Sequence, residues 1–133
     1  MKISRGLRNN NPGNLRISKD NWRGLRKIQT DMSFFQFISN DYGYRAMIRT
    51  LQTYQSKYGL NTIEEIIYKY APTNENHTDN YIKLVCEWTN SKPWYHIDTK
   101  DKQTMIALAA AMSRVENGVP ANLAEVEAGW NLL

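Results

Sequence analysis

One cysteine, Cys86, and two histidines, His77 and His96, are all the thiol and imidazole groups this chain contains. A lone thiol excludes an internal disulfide, and the three residues match no zinc-ligand spacing and no Cys-His nucleophile. No metal site and no cofactor is expected. Long apolar runs are missing as well. The opening MKISRGLRNN lacks the apolar stretch of a secretory leader, and nothing later approaches the roughly 20 apolar residues that span a bilayer. A protein of this kind acting outside the cytoplasm would rely on something else for delivery. No repeat or low-complexity linker interrupts the chain, so its 133 residues read as one domain, 1–133, with one hydrophobic core.

Acidic residues are scarce at the start. Residues 1–27 hold eight Lys or Arg (Lys2, Arg5, Arg8, Arg16, Lys19, Arg23, Arg26, Lys27) against Asp20 alone, while the remainder holds nine basic and twelve acidic residues. A basic lobe of this kind either attracts a polyanion or is simply solvated. Nucleic acid is the weaker choice of polyanion, since neither a helix-turn-helix pattern nor a basic recognition helix accompanies the charge.

What the first lobe does have is amides. RGLRNNNPGNLR, Arg5 to Arg16, sets four asparagines around a Pro-Gly. Asparagine bonds to nearby backbone, proline fixes one dihedral and glycine opens the left-handed region, so the stretch reads as a side-chain-held turn and not as helix or strand. NWRGLRKIQTDMSFFQFIS then alternates weakly, which predicts one or two short strands or a hairpin. The period changes at SNDYGYRAMIRTLQTYQSKYG. Tyr44, Met47, Ile48, Leu51, Tyr54 and Tyr58 recur every three or four residues and Gly59 follows, the pattern of an amphipathic helix. Thr62-x-x-Glu65 is a capping box for a helix ending at Pro72. A second amide-rich turn, PTNENHTDN, leads into a helix from about Thr78. Asp98 or Thr99 opens an Ala-rich helix that Asn117-Gly118 closes, and ANLAEVEAGW predicts a short last helix. The class is mainly α with a small β element.

One carboxylate stands in an unfavourable place. A helix advances about 100° per residue, which puts Met105, Ala109, Met112 and Glu116 on one face, the apolar one. Arg114 points elsewhere. Glu116 therefore meets both an apolar flank and the negative end of the helix dipole, and each raises a carboxyl pKa, as a general acid near neutrality requires. Pairing with Arg8 or Arg16 is the equal alternative. Glu75, between Asn74 and Asn76, either caps the Thr78 helix or lines a site.

Two stretches resemble the lytic transglycosylases of the lysozyme-like superfamily, which cleave peptidoglycan. ALAAAMSRVENGVPAN (107–122) is similar to their first motif, an Ala-rich helix ending in Glu-Ser-Gly, with Glu116 at the position of the catalytic acid. APTNENHTDNYIKLV (71–85) resembles their last motif, Pro-x-x-Glu-Thr-x-x-Tyr-Val-x-x-Val, with Glu75 and Tyr81 near its Glu and Tyr and one extra residue between them. The order of the two motifs is reversed, which a circular permutation would explain. The family's Gly-Leu-Met-Gln has only a loose stand-in at Tyr42–Met47. Arg5 to Gly118 also resembles a phage and prophage group beginning Arg-Asn-Asn-Asn-Pro-Gly-Asn, often described as virion structural or lysozyme-like proteins.

The resemblance implies a lysozyme-like, permuted fold and cleavage between N-acetylmuramic acid and N-acetylglucosamine. Glu116 would be the acid, and Tyr81 and Glu75 would stand in the same site. Its partners would be peptidoglycan glycan strands, with assembly into a virion. Its location would be the virion or, if prophage-encoded, the host cytoplasm, with action at the cell wall. Asn10, Asn11, Asn14 and Asn76 could bond acetamido groups. Trp22 and Tyr44, like Trp94 and Tyr95, either stack on sugar faces or are ordinary core and surface aromatics. The competing expectation is a noncatalytic virion or glycan-binding protein of the same fold. Finally, a permuted chain should bring the segment after Gly118 close to the segment before Asn9, placing the asparagine turn beside Glu116.

Overall fold

The computed structural model describes residues 2–72 and 75–133, with the backbone alone at 75 and 76. Six helices appear among them: α1 (Arg5–Arg8), α2 (Asn40–Tyr58), α3 (Ile63–Tyr70), α4 (Glu75–Thr89), α5 (Lys102–Asn117) and α6 (Leu123–Asn131). The molecule is mainly α, as the periodicity predicts.

Local chemistry sets the helix ends. Gly59 and Gly118 close α2 and α5 at φ 68° and 74°, the left-handed region where glycine carries no Cβ penalty. Thr62 and Glu65 form the reciprocal capping box of α3. Two starts differ from expectation. The Asp101 side chain accepts from the Thr104 N–H and begins α5 at Lys102, while Asp98 is used in the preceding turn, accepting from the Lys100 N–H at 2.9 Å. Helix α4 begins at Glu75, ahead of Thr78, whose hydroxyl donates to the Ala71 carbonyl at 2.5 Å.

The core is built from one stripe of each long helix. Met47, Ile48 and Leu51 of α2, Ile66 and Ile67 of α3, Val85 of α4, Met105 and Met112 of α5 and Val126 of α6 are all fully buried. Each contributes about 1.5–3 kcal/mol through apolar surface removed from water. Helix α6 lies directly on α2. A Cβ at Gly129 would stand 2.6 Å from Tyr44 Cβ and 2.9 Å from the Arg45 nitrogen, so only glycine permits that approach.

The expected hairpin is reduced to isolated bridges. Arg16 pairs with Phe34 and Leu25 with Phe37, both antiparallel, and side-chain amides add further bonds across the segment. Gln29 Nε2 donates to the Gln36 carbonyl at 2.8 Å while the Gln36 N–H donates to Gln29 Oε1 at 2.7 Å. Phe35, Phe37 and Ala46 form a second small core there, with Leu15, Trp22, Leu25 and Tyr42 packed on it.

The opening turn also begins differently from expectation. Ser4 caps a single helical turn, α1, before the asparagines take over, so the stretch is not wholly non-helical. No helix among the described residues is long and apolar enough to cross a membrane.

Candidate active site

Helix α5 carries Met105, Ala109 and Met112 fully buried, and the same face delivers Glu116 half-buried at the helix end. Arg114 turns away, its guanidinium 4.1 Å from the centre of the Trp88 ring. Glu116 lines a cleft of about 620 Å³ together with Asn14, Arg16, Trp22, Tyr54, Tyr70 and Tyr81.

The N-terminal turn is bolted to the end of α5. Ser4 Oγ donates to Asn117 Oδ1 at 2.7 Å, and Asn117 Nδ2 donates to the Pro12 carbonyl at 2.8 Å and to the Ser113 carbonyl at 2.9 Å. Gly6 sits under this joint, where a Cβ would lie 2.5 Å from Asn117 Oδ1 and 2.8 Å from Asn14 Oδ1. The segment before Asn9 and the end of α5 at Asn117 are thus neighbours, which places the asparagine turn beside Glu116. Asn14, held at φ 50°, sends Nδ2 to Glu116 Oε1 at 2.9 Å. Neither ion pair among the described residues, Arg5–Asp31 or Lys102–Glu127, includes Glu116, and the expected alternative with Arg8 or Arg16 is not formed.

Two tyrosines complete the walls. Tyr70, from the end of α3, donates to the Gly13 carbonyl at 2.5 Å, and a Cβ at Gly13 would collide with that hydroxyl. Tyr81, buried on α4, donates to the Met112 carbonyl at 3.4 Å and also interacts with the Glu116 carboxyl through its hydroxyl. Burial raises the Glu116 pKa, and the hydrogen bonds from Asn14 and then Tyr81 oppose it; burial wins. Burial, followed by the Glu116 charge, keeps both tyrosines protonated well above the ordinary range. The result is a carboxyl that can hold a proton at higher pH than usual, facing a cleft with aromatic and amide walls. Such a group can act as a general acid.

The other candidates separate by position. Asn14 and Trp22 line the cleft, and Trp22 also packs on the second core. Tyr44 does not line it. The ring is buried in the helical core and its hydroxyl shares a hydrogen bond with Ser113 Oγ at 2.9 Å. Asn11 is fully buried and braces the turn, donating to the Leu15 and Phe35 carbonyls at 3.0 Å each and accepting from the Leu15 N–H. Asn10, at φ 50°, donates to the Phe37 carbonyl at 3.3 Å and likewise stands outside the cleft lining. Trp94 and Tyr95 are exposed and pack edge to face elsewhere, ring centres 6.4 Å apart. The side chains of Glu75 and Asn76 lie outside the described residues.

Sequence reasoning missed Tyr54 and Tyr70 as cleft walls, because their helical spacing reads equally well as core. Arg16, offered by the sequence as an ion-pair partner of Glu116, lines the cleft without forming that pair, and its backbone bridges Phe34.

Fold and site together define a small, mainly helical protein with a half-buried glutamate lining an aromatic cleft. No family model matches the chain. It is 38% identical over a 133-residue alignment to Protein P5 of Pseudoalteromonas phage PM2, covering 97% of this chain and 81% of that protein. The chain belongs to the family of that phage protein, which supports a phage origin.

Proposed function

We propose that the protein cleaves peptidoglycan at the bond between N-acetylmuramic acid and N-acetylglucosamine, with a lysozyme-like arrangement in which Glu116 is the general acid. The observation that carries this reading is the burial-raised carboxyl of Glu116, bonded by Asn14 and lining the cleft with Tyr81. Its proton passes to the glycosidic oxygen as the bond from C1 to that oxygen breaks. The substrate's own acetamido oxygen closes on C1. Its 6-hydroxyl then displaces that oxygen and returns a proton to Glu116, giving an anhydro product and restoring the acid. No second protein carboxylate is needed. Where water attacks instead of the 6-hydroxyl, the same acid serves a muramidase.

Virion association fits the phage relative and requires no catalysis, so a glycan-binding virion protein is the second reading. Mass spectrometry of purified peptidoglycan after incubation distinguishes them. Anhydromuramyl ends identify the transglycosylase and new reducing ends the muramidase. Unchanged strands at high protein concentration would overturn the enzymatic reading in favour of the binder.

A further inference from the structure

Arg16 is a cation in the cleft wall with no acidic partner among the described residues. Its backbone bridges Phe34, and its guanidinium lies 5.0 Å from the centre of the Phe34 ring. Arg5 stands 4.7 Å from the same ring, but its charge is engaged, with Nε and Nη2 donating to the two Asp31 oxygens at 2.8 and 2.7 Å. Burdened with that pair, Asp31 is held well below the usual carboxylate range. Arg16 belongs to neither ion pair among the described residues. Phe34 therefore contacts one arginine neutralised by Asp31 and one with no ion pair among the described residues, and the second one lines the cleft.

The groups facing that space are Glu116 from α5, Tyr81 and His77 from α4, Tyr70 from α3, Tyr54 from α2, and Asp20 beside Arg16 in the opening lobe. Asp20 Oδ2 accepts from Ser18 Oγ at 2.9 Å, so its charge is partly satisfied locally. A planar guanidinium resting on a ring offers a preformed fork to a carboxylate. On peptide-free stretches of the glycan proposed above, the one sugar substituent that ends in a free carboxylate is the lactyl ether of muramic acid; where a stem peptide is attached, that carboxyl is a neutral amide.

We propose that Arg16 forms a carboxylate-binding subsite of the Glu116 cleft, favouring glycans that carry a free lactyl acid over neutral ones. This rests on the glycan-cleaving reading and assigns one residue of its specificity. Because Arg16 is exposed, the expected effect is modest, about five- to tenfold in affinity.

The test is a binding titration in the Glu116→Gln protein, which leaves the ligand intact. One probe is a peptide-free muramyl-glucosaminyl oligosaccharide with free lactyl acids; the other has those acids converted to methylamides. The acid form should bind about five- to tenfold more tightly. Adding Arg16→Gln should remove the difference, Arg16→Lys should retain part of it, and Asp20→Asn should widen it. Equal binding of both probes, or a preference that survives Arg16→Gln at an unchanged melting temperature, overturns the subsite alone. Failure of both probes to bind at all overturns the glycan reading and the subsite with it.

Discussion

The helical bundle and the lobe before it are stabilised by different physics. In the bundle, side chains such as Met47, Ile66 and Met112 are fully buried and act through apolar surface removed from water. In residues 4–38 the buried groups include Asn9, Asn11 and Gln36, which contribute through hydrogen bonds made in place of water. Asn9 Oδ1 accepts from Gln36 Nε2 at 3.1 Å and its Nδ2 donates to Asp31 at 2.9 Å. Apolar packing is tolerant of sequence but not directional. An amide network is directional, and it is the polar lobe that delivers Asn14 to a carboxyl projected by the apolar one. The candidate site lies where the two meet.

Removing packed volume from the bundle should have the largest effect on stability. Met112→Ala should cost about 3 kcal/mol, read from denaturant midpoints, because the buried site can collapse only partly. Next comes the polar lobe. Asn11→Ala leaves the Leu15 N–H and the Leu15 and Phe35 carbonyls without these partners, and should cost about 2 kcal/mol. A neutral result there would mean that the amides are decorative and that apolar contacts hold the lobe as well.

The smallest effect lies at the seam and has a defined sign. Because burial raises the Glu116 pKa, the folded state binds its proton more tightly than the unfolded chain does. Stability is therefore favoured at low pH and declines as pH rises from the ordinary value of 4.5 through the raised one. Glu116→Gln lacks that titration. Its melting temperature should gain on the parent as pH climbs from 4 to 7, and a constant difference across that range would show that the carboxyl is not perturbed.

The two regions were also unequally legible in the sequence. Periodicity and caps are local, so α2, the capping box at Thr62 and the glycine stops at Gly59 and Gly118 follow from spacing alone. The lobe is written in long-range amide bonds, such as that from Asn11 to Phe35, which no local pattern carries. Glu116 was visible because a charge on an apolar face violates a local rule. Asn14 was visible only as one of four similar asparagines. Their different duties, one on the carboxyl and two on distant backbone, depend on which way each left-handed or buried amide faces. Tyr44 is ambiguous in the sequence for a related reason, since an aromatic on a helical stripe looks the same whether it faces core or cleft, and burial places it in the core.

The most direct test of the central claim is the rate of turbidity loss on purified cell walls, measured for the parent protein and for Glu116→Gln at equal folded concentration. Loss of a positioned acid should slow digestion by about a hundredfold or more while circular dichroism stays unchanged. Digestion by Glu116→Gln at the parent rate would contradict the account, because the carboxyl at the meeting of the two regions would then not be the proton donor.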